Sequence, residues 1–92
     1  MSYAVVFRPS ARRDLQALPR AAQERLTAEI AALAANPRGP GTKNLTGVLT
    51  GLRRTRVGDY RIAYAIEEEE QRIRIWAIGH RRNFYRAILR HL

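Results

Sequence analysis

The sequence predicts a single α+β domain ordered β-α-α-β-β-β(-α), with a helical hairpin packed on a small, mainly antiparallel twisted sheet. Three observations lead there. A β-type apolar run opens the chain, two stretches with helical apolar spacing follow, and three strand-like segments come after a glycine-rich interval. The length leads to the expectation of one domain over residues 1–92 rather than a multidomain enzyme.

Tyr3-Ala4-Val5-Val6-Phe7 reads as the first strand, ended by Pro9. Ser10 is the expected cap of a first helix, because a serine oxygen can accept a free N–H of the opening turn. Ala11, Leu15 and Leu18 recur at helical spacing and form one apolar stripe. Pro19 interrupts that stripe and suits the first turn of a second helix. Ala22, Leu26, Ile30 and Leu33 carry the second stripe, and Asn36-Pro37 stops it. With so short a connection, the two helices are expected to form an antiparallel hairpin.

Arg38 to Gly51 reads as a loop holding Lys43, with Leu45 anchored in the core. Leu52 to Val57, Tyr60 to Ile66 and Arg72 to Ile78 read as three strands. Gly58-Asp59 is the expected two-residue turn between the first two, although it reverses the favoured Asp-Gly order. Asn83 is the expected cap of a last helix reaching Leu92, with Phe84, Ile88 and Leu92 on one face.

The chain carries 17 Lys+Arg against 8 Asp+Glu, a net charge of +9, and Lys43 is its only lysine. Four of the acids are consecutive, Glu67 to Glu70; without them seventeen bases face four acids, a net +13. That run is expected to be a solvated hairpin tip held away from the basic surface. The excess charge points to a polyanionic partner, nucleic acid or an acidic protein. Cysteine is absent, which excludes disulfides, thiolate catalysis and sulfur-held zinc. Neither a secretory signal nor an apolar run of about 20 residues is recognisable, so a cytoplasmic protein without membrane attachment is expected.

The hairpin register carries the functional argument. With Gly58-Asp59 as the loop, Val57 faces Tyr60, Arg56 faces Arg61, Thr55 faces Ile62 and Arg54 faces Ala63. Alternation then gives one apolar face of Thr55, Val57, Tyr60, Ile62, Tyr64 and Ile66. The other face holds Arg54, Arg56 and Arg61 beside Ala63 and Ala65. Like charges directly opposite one another destabilise a sheet. Such a cluster makes sense where a phosphate fills the space, since the guanidinium fork donates bidentately to phosphate oxygens. The plainer alternative is a solvated face with splayed arginines.

A second constellation follows the last strand: Gly79-His80-Arg81-Arg82-Asn83-Phe84-Tyr85-Arg86. Antiparallel pairing of the last two strands returns it toward Tyr60 and Arg61. Arg81 or Arg82, and Tyr85, are therefore expected to join the same cleft, where no carboxylate is expected.

The segments "VGDYRIAY" and "IGHRRNFYR", together with the element order and "PSARRDLQALP", resemble the RelE/ParE superfamily of type II toxin–antitoxin toxins, and within it the RelE branch. The resemblance spans nearly the whole chain. It implies a RelE-like fold and a ribosome-dependent endonuclease that cuts mRNA in the ribosomal A site without metal or cofactor. It also implies a cognate antitoxin that wraps the toxin; the +9 charge favours an acidic, partly disordered one. By position, the family's basic pair falls on Arg54 and Arg56, its Tyr-Arg arginine on Arg61, its post-strand arginine on Arg81 or Arg82, and its C-terminal tyrosine on Tyr85. Lys43 is expected to be a further phosphate-binding residue. The basic pair is often lysine in the family, and the spacing from Gly79 to Tyr85 is short here.

Metal-independent RNA cleavage uses a 2′-OH against the adjacent phosphorus. It needs a base, positive charge around the pentacoordinate phosphate, and an acid for the 5′-oxygen. Tyr85 is the candidate base. Arg61 and Arg81 are candidates for stabilising the transition state, and Arg54 and Arg56 for holding the backbone or the leaving group. His80 is the reserve acid or base, being of the residue type that titrates near neutrality. Two other classes stay open: a ParE-like toxin that inhibits DNA gyrase by binding, and a non-catalytic basic nucleic-acid-binding domain.

Overall fold

The computed structural model describes residues 2–90, with side chains through residue 89. Its elements are β1 (Ala4–Phe7), α1 (Pro9–Gln16), α2 (Arg20–Ala35), β2 (Thr42–Asn44), a 3-10 turn (Gly47–Leu49), β3 (Arg53–Val57), β4 (Tyr60–Glu67), β5 (Arg72–His80) and α3 (Phe84–Arg90). The sheet order is β1-β5-β4-β3-β2, with β1 parallel to β5 and every other pair antiparallel. This is the expected α+β architecture with one strand more. Three polar residues, Thr42-Lys43-Asn44, are too few to show alternation. Their pairing with β3, Lys43 opposite Arg54, makes them a strand where a loop is predicted.

Helix α1 starts one residue before the expected serine cap. Arg8 holds the cap position in extended conformation and Pro9 opens the helix, so Ser10 lies inside the first turn. Proline is suited to that place because an N–H there would have no helical partner. Between α1 and α2, the Gln23 side-chain amide donates to Leu18 O at 2.8 Å and to Gln16 O at 3.3 Å. In α3, the Ala87 N–H donates to the Asn83 carbonyl at 2.9 Å. Leu92 lies outside the described residues.

The β3–β4 register is the predicted one, with Val57 opposite Tyr60, Arg56 opposite Arg61, Thr55 opposite Ile62 and Arg54 opposite Ala63. Gly58 has φ +60° and Asp59 does not have a positive φ. Positive φ at the first central residue alone is the pattern of a type II′ turn, and it explains the Gly-Asp order.

Two clusters of apolar side chains cover opposite faces of the sheet. Helices α1 and α2 pack Ala11, Leu26, Ile30 and Leu33 against Val57, Ile62, Tyr64, Ile73, Ile75 and Ile78. There the Tyr64 hydroxyl donates to Pro37 O at 2.6 Å. On the other face, Phe84 and Ile88 of α3 join Leu45, Leu49 and Leu52 over Ala63 and Ala77. The sequence assigns Leu45 to a core, but the small residues beside the arginines read as open cleft. They are instead floor to a second core. A seven-residue helix is far too short to be stable alone. Burial of Phe84 and Ile88, about 1.5–3 kcal/mol each, holds α3 in place.

Strand β5 reaches His80, two residues past its expected end, and is bulged. Ala63 pairs with Ala77 and Tyr64 with Ile75, so Trp76 is the extra residue. Trp76 and Ala77 both pack in the second cluster, and alternation beyond them is inverted.

The acidic run is more engaged than a solvated tip. Glu67 accepts from Arg72 and from Arg74, the latter at 2.8 Å. Glu68 accepts from Arg38 at 2.8 Å and from the Tyr3 hydroxyl at 3.1 Å. Among the described residues, no helix is long and apolar enough to cross a membrane.

Candidate active site

The β3–β4 hairpin presents Arg54, Arg56 and Arg61 on the face away from α1 and α2. Strand β2 brings Lys43 beside Arg54, and α3 brings Tyr85 from above. Lys43, Arg54, Arg56 and Tyr85 share a groove of about 510 Å³ with Asn44, Leu45, Thr46 and Leu49. Cations dominate one wall, while the leucines of the second core form part of the lining.

Arg54 is 8 % exposed and, among the described residues, has no carboxylate within ion-pair distance. Placing a guanidinium so deeply without a counter-charge is costly. An anion entering the groove would offset that cost.

Arg61 is held by the turn that precedes it. Its Nη1 donates to Gly58 O at 3.0 Å and Tyr60 O at 2.9 Å. Partial burial first, and then the charges of Arg56, Arg54 and Arg81, push the Arg61 guanidinium below its ordinary pKa; Tyr85 acts in the opposite sense. An arginine keeps its proton at any physiological pH. The direction therefore reports crowding of like charge.

The post-strand segment separates into two environments. The Arg81 N–H donates to Asp59 O at 2.7 Å, and its guanidinium lies 3.9 Å from the Asp59 carboxylate. Arg82 is exposed, and its N–H donates to His80 Nδ1 at 3.3 Å. His80 pairs with Tyr60 across the ladder, and the two rings meet edge to face at 6.0 Å. Tyr60 packs on the helix side. His80 is thus on the sheet face opposite Arg56 and Arg61, an outcome of the bulge at Trp76.

Of the residues singled out in the sequence, Lys43, Arg54, Arg56, Arg61, Arg81 and Tyr85 come together. His80 and Arg82 do not. Tyr85 is half exposed, with its ring edge to face with Phe84 at 5.1 Å. Sequence reasoning misses Asn44 and Thr46 in the groove because β2 itself is missed. It also leaves Asp59 out of the cleft, although the Gly-Asp turn places that carboxylate at the mouth. A larger, more open depression along α2, lined by Arg20, Gln23, Glu24, Thr27, Ala28 and Ala31, carries no comparable cluster.

A profile of the ParE toxins of type II toxin–antitoxin systems matches residues 5–85. Toxin RelE of Mycobacterium tuberculosis is 39% identical over 89 residues, covering 91% of this chain and 87% of that protein. In the RelBE2 toxin–antitoxin complex of the same organism, one chain superposes with a TM-score of 0.78 at 33% identity, covering 87% of this chain and 99% of that one. The archaeal RelE–RelB complex of Pyrococcus horikoshii gives a TM-score of 0.75 at 30% identity, over 88% of this chain and 97% of that one. A mutant of E. coli RelE with two arginines replaced by alanine, in the free state and 17% identical, shares the fold with a TM-score of 0.79 over 99% of this chain and 94% of that one. The chain belongs to the ParE toxin family of type II toxin–antitoxin systems and, within the ParE/RelE superfamily, is a RelE-type toxin.

Proposed function

We propose that this toxin is a metal-independent, ribosome-dependent endoribonuclease that cleaves mRNA and stops translation. The observation that carries this reading is Arg56 directly opposite Arg61, beside the half-exposed Tyr85 and the buried Arg54, which has no carboxylate partner among the described residues. A surface that only attracts RNA has no need to crowd like charges on one ladder rung at a cost to the sheet.

The 2′-OH gives its proton to the Tyr85 phenolate oxygen, and its own oxygen forms a bond to the adjacent phosphorus as the bond from phosphorus to the 5′-oxygen breaks. The departing 5′-oxygen takes a proton from water, so the products are a 2′,3′-cyclic phosphate and a 5′-hydroxyl. Arg61 and Arg81 stabilise the extra negative charge on the equatorial oxygens. Lys43, Arg54 and Arg56 hold the backbone and the leaving-group side. Tyr85 is preferred to His80 as base because His80 stacks with Tyr60 on the other sheet face. Arg81 is preferred to Arg82 because it acts on Arg61. Reactants aligned by the ribosome would gain much of the rate through orientation.

The same reading gives a cytoplasmic protein with a cognate antitoxin. The relatives from M. tuberculosis and P. horikoshii are seen in RelBE2 and RelE–RelB complexes. An acidic partner that orders on binding suits a +9 surface.

The test is purified toxin added to translating ribosomes. Cuts within the A-site codon, strongly reduced in Arg61→Ala and Tyr85→Phe, are expected. Intact mRNA together with inhibited DNA gyrase would overturn the reading in favour of a ParE-like binder. Salt-sensitive RNA binding without cleavage would favour a non-catalytic module.

A further inference from the structure

The geometry points to Asp59 as a positioning residue that sets the orientation of Arg81 and restrains the charge of the arginine cluster until RNA arrives. This rests on the nuclease reading above, and extends it to a side chain that makes no contribution to phosphate binding.

Four guanidiniums, those of Arg54, Arg56, Arg61 and Arg81, crowd this end of the sheet. Among the described residues, Asp59 is the one carboxylate within ion-pair range of any of them, at 3.9 Å from Arg81 Nε. The Asp59 backbone is well fixed. Its carbonyl accepts the Arg81 N–H at 2.7 Å. The preceding carbonyl, Gly58 O, accepts from Arg61. Arg25 of α2 lies over Gly58, where a side-chain Cβ would come within 2.7 Å of Arg25 Nη1. The turn therefore needs glycine for its φ of +60°, whereas the flexible Arg25 side chain is free to swing aside. Its two carbonyls and one carboxylate address the two arginines assigned to the transition state.

The carboxylate has two opposing effects. It draws the Arg81 side chain toward the turn, limiting the arrangements that chain must lose on meeting phosphate. It also repels a phosphate approaching the same arginines. The contact is loose and solvent-exposed, so it contributes little to stability and is easily exchanged for a phosphate oxygen. Removing it is expected to weaken catalysis and strengthen binding together. A purely structural residue would not slow catalysis while tightening binding, which lowers kcat and KM together.

The experiment is Asp59→Asn, which keeps a good turn former at an exposed position. On translating ribosomes, kcat is expected to fall about fivefold and KM about twofold, the scale of an exposed ion pair. Asp59→Glu should recover most of kcat. In an Arg81→Ala background the Asp59→Asn effect on kcat should vanish, because it acts through Arg81. Independently of RNA, the Arg81 Nε–H signal in the free protein should broaden and exchange faster in Asp59→Asn. Unchanged kcat and KM in Asp59→Asn, or an equal loss in the Arg81→Ala background, would overturn the inference and leave the nuclease reading intact. A wild-type protein that cuts no mRNA would sink that reading instead; the Arg81 signal would then decide the positioning role alone, with an unaltered signal overturning it.

Discussion

Arg56 and Arg61 face each other across the β3–β4 ladder, and among the described residues neither has a carboxylate partner. The pair is a cost to the fold that a phosphate would turn into a gain. Stability and activity should therefore respond to mutation in opposite directions. Arg61→Ala is expected to lower the mRNA cleavage rate by about 10²–10³-fold, the loss typical of one transition-state donor. The same change should leave the thermal midpoint unchanged or raise it, since relief of opposed like charge is worth about 0.2–1 kcal/mol. Paired melting and cleavage measurements check this. A large loss of stability would mean that Arg61 serves the fold.

Lys43 stands opposite Arg54 at the exposed end of the groove; in the proposed function its charge would attract backbone phosphate without touching the reacting atoms. Lys43→Ala should weaken binding of a single-stranded RNA oligonucleotide and reduce the slope of log affinity against log salt by about 0.7. Fluorescence anisotropy across a salt series reads both. Cleavage at saturating substrate should be nearly unchanged. A fall in kcat as large as that of Arg61→Ala would move Lys43 into the reaction itself.

The hairpin was legible because its register depends on two turn residues and on the period of two along each strand. Gly58-Asp59 therefore settled which arginines share a rung. Beyond Trp76 the same reasoning fails. With Ile73 and Ile75 facing the helices, simple alternation would turn Ala77 and Gly79 inward and His80 toward the arginines. One inserted residue reverses this, so Ile78 joins the helix-side core and His80 meets Tyr60. A bulge leaves no composition signal as plain as a glycine turn. The covered half of the arginine face was hidden for another reason. Leu45 alone of its leucines is expected in a core; Leu49 lies in the loop-like interval and Leu52 opens a predicted strand, and only tertiary contact with Phe84 and Ile88 shows that all three form one core.

That second core makes a prediction about Tyr85. Phe84 and Ile88 are fully buried, and the chain between them carries the tyrosine. Ile88→Val should cost about 0.5–1.5 kcal/mol and Phe84→Ala about 3–5 kcal/mol in urea unfolding. Under conditions where each variant remains folded, Phe84→Ala should lose cleavage with Tyr85 intact, because the ring it packs against is gone. Full activity in a folded Phe84→Ala protein would show that Tyr85 needs no such support.

The Glu67 ion pairs give the fold an acid limit. Hydrogen bonds from Arg74 first and Arg72 second hold the Glu67 carboxyl down at about 2, against an ordinary value of 4.5. Arg38 lowers Glu68 in the same direction. A carboxylate depressed in the folded state stabilises it fully above the unfolded value and progressively less as pH falls toward the folded one. The contribution of Glu67 should therefore be present above about pH 4.5 and disappear toward pH 2. Glu67→Gln should lower the thermal midpoint at pH 6 and flatten its decline with acid, so that the curves of variant and wild type converge near pH 2. Parallel curves over that interval would show that Arg72 and Arg74 do not hold Glu67 ionised in the folded protein. Cleavage at neutral pH should be unaffected in Glu67→Gln, because the strand end it secures lies at the opposite end of β4 from Arg61.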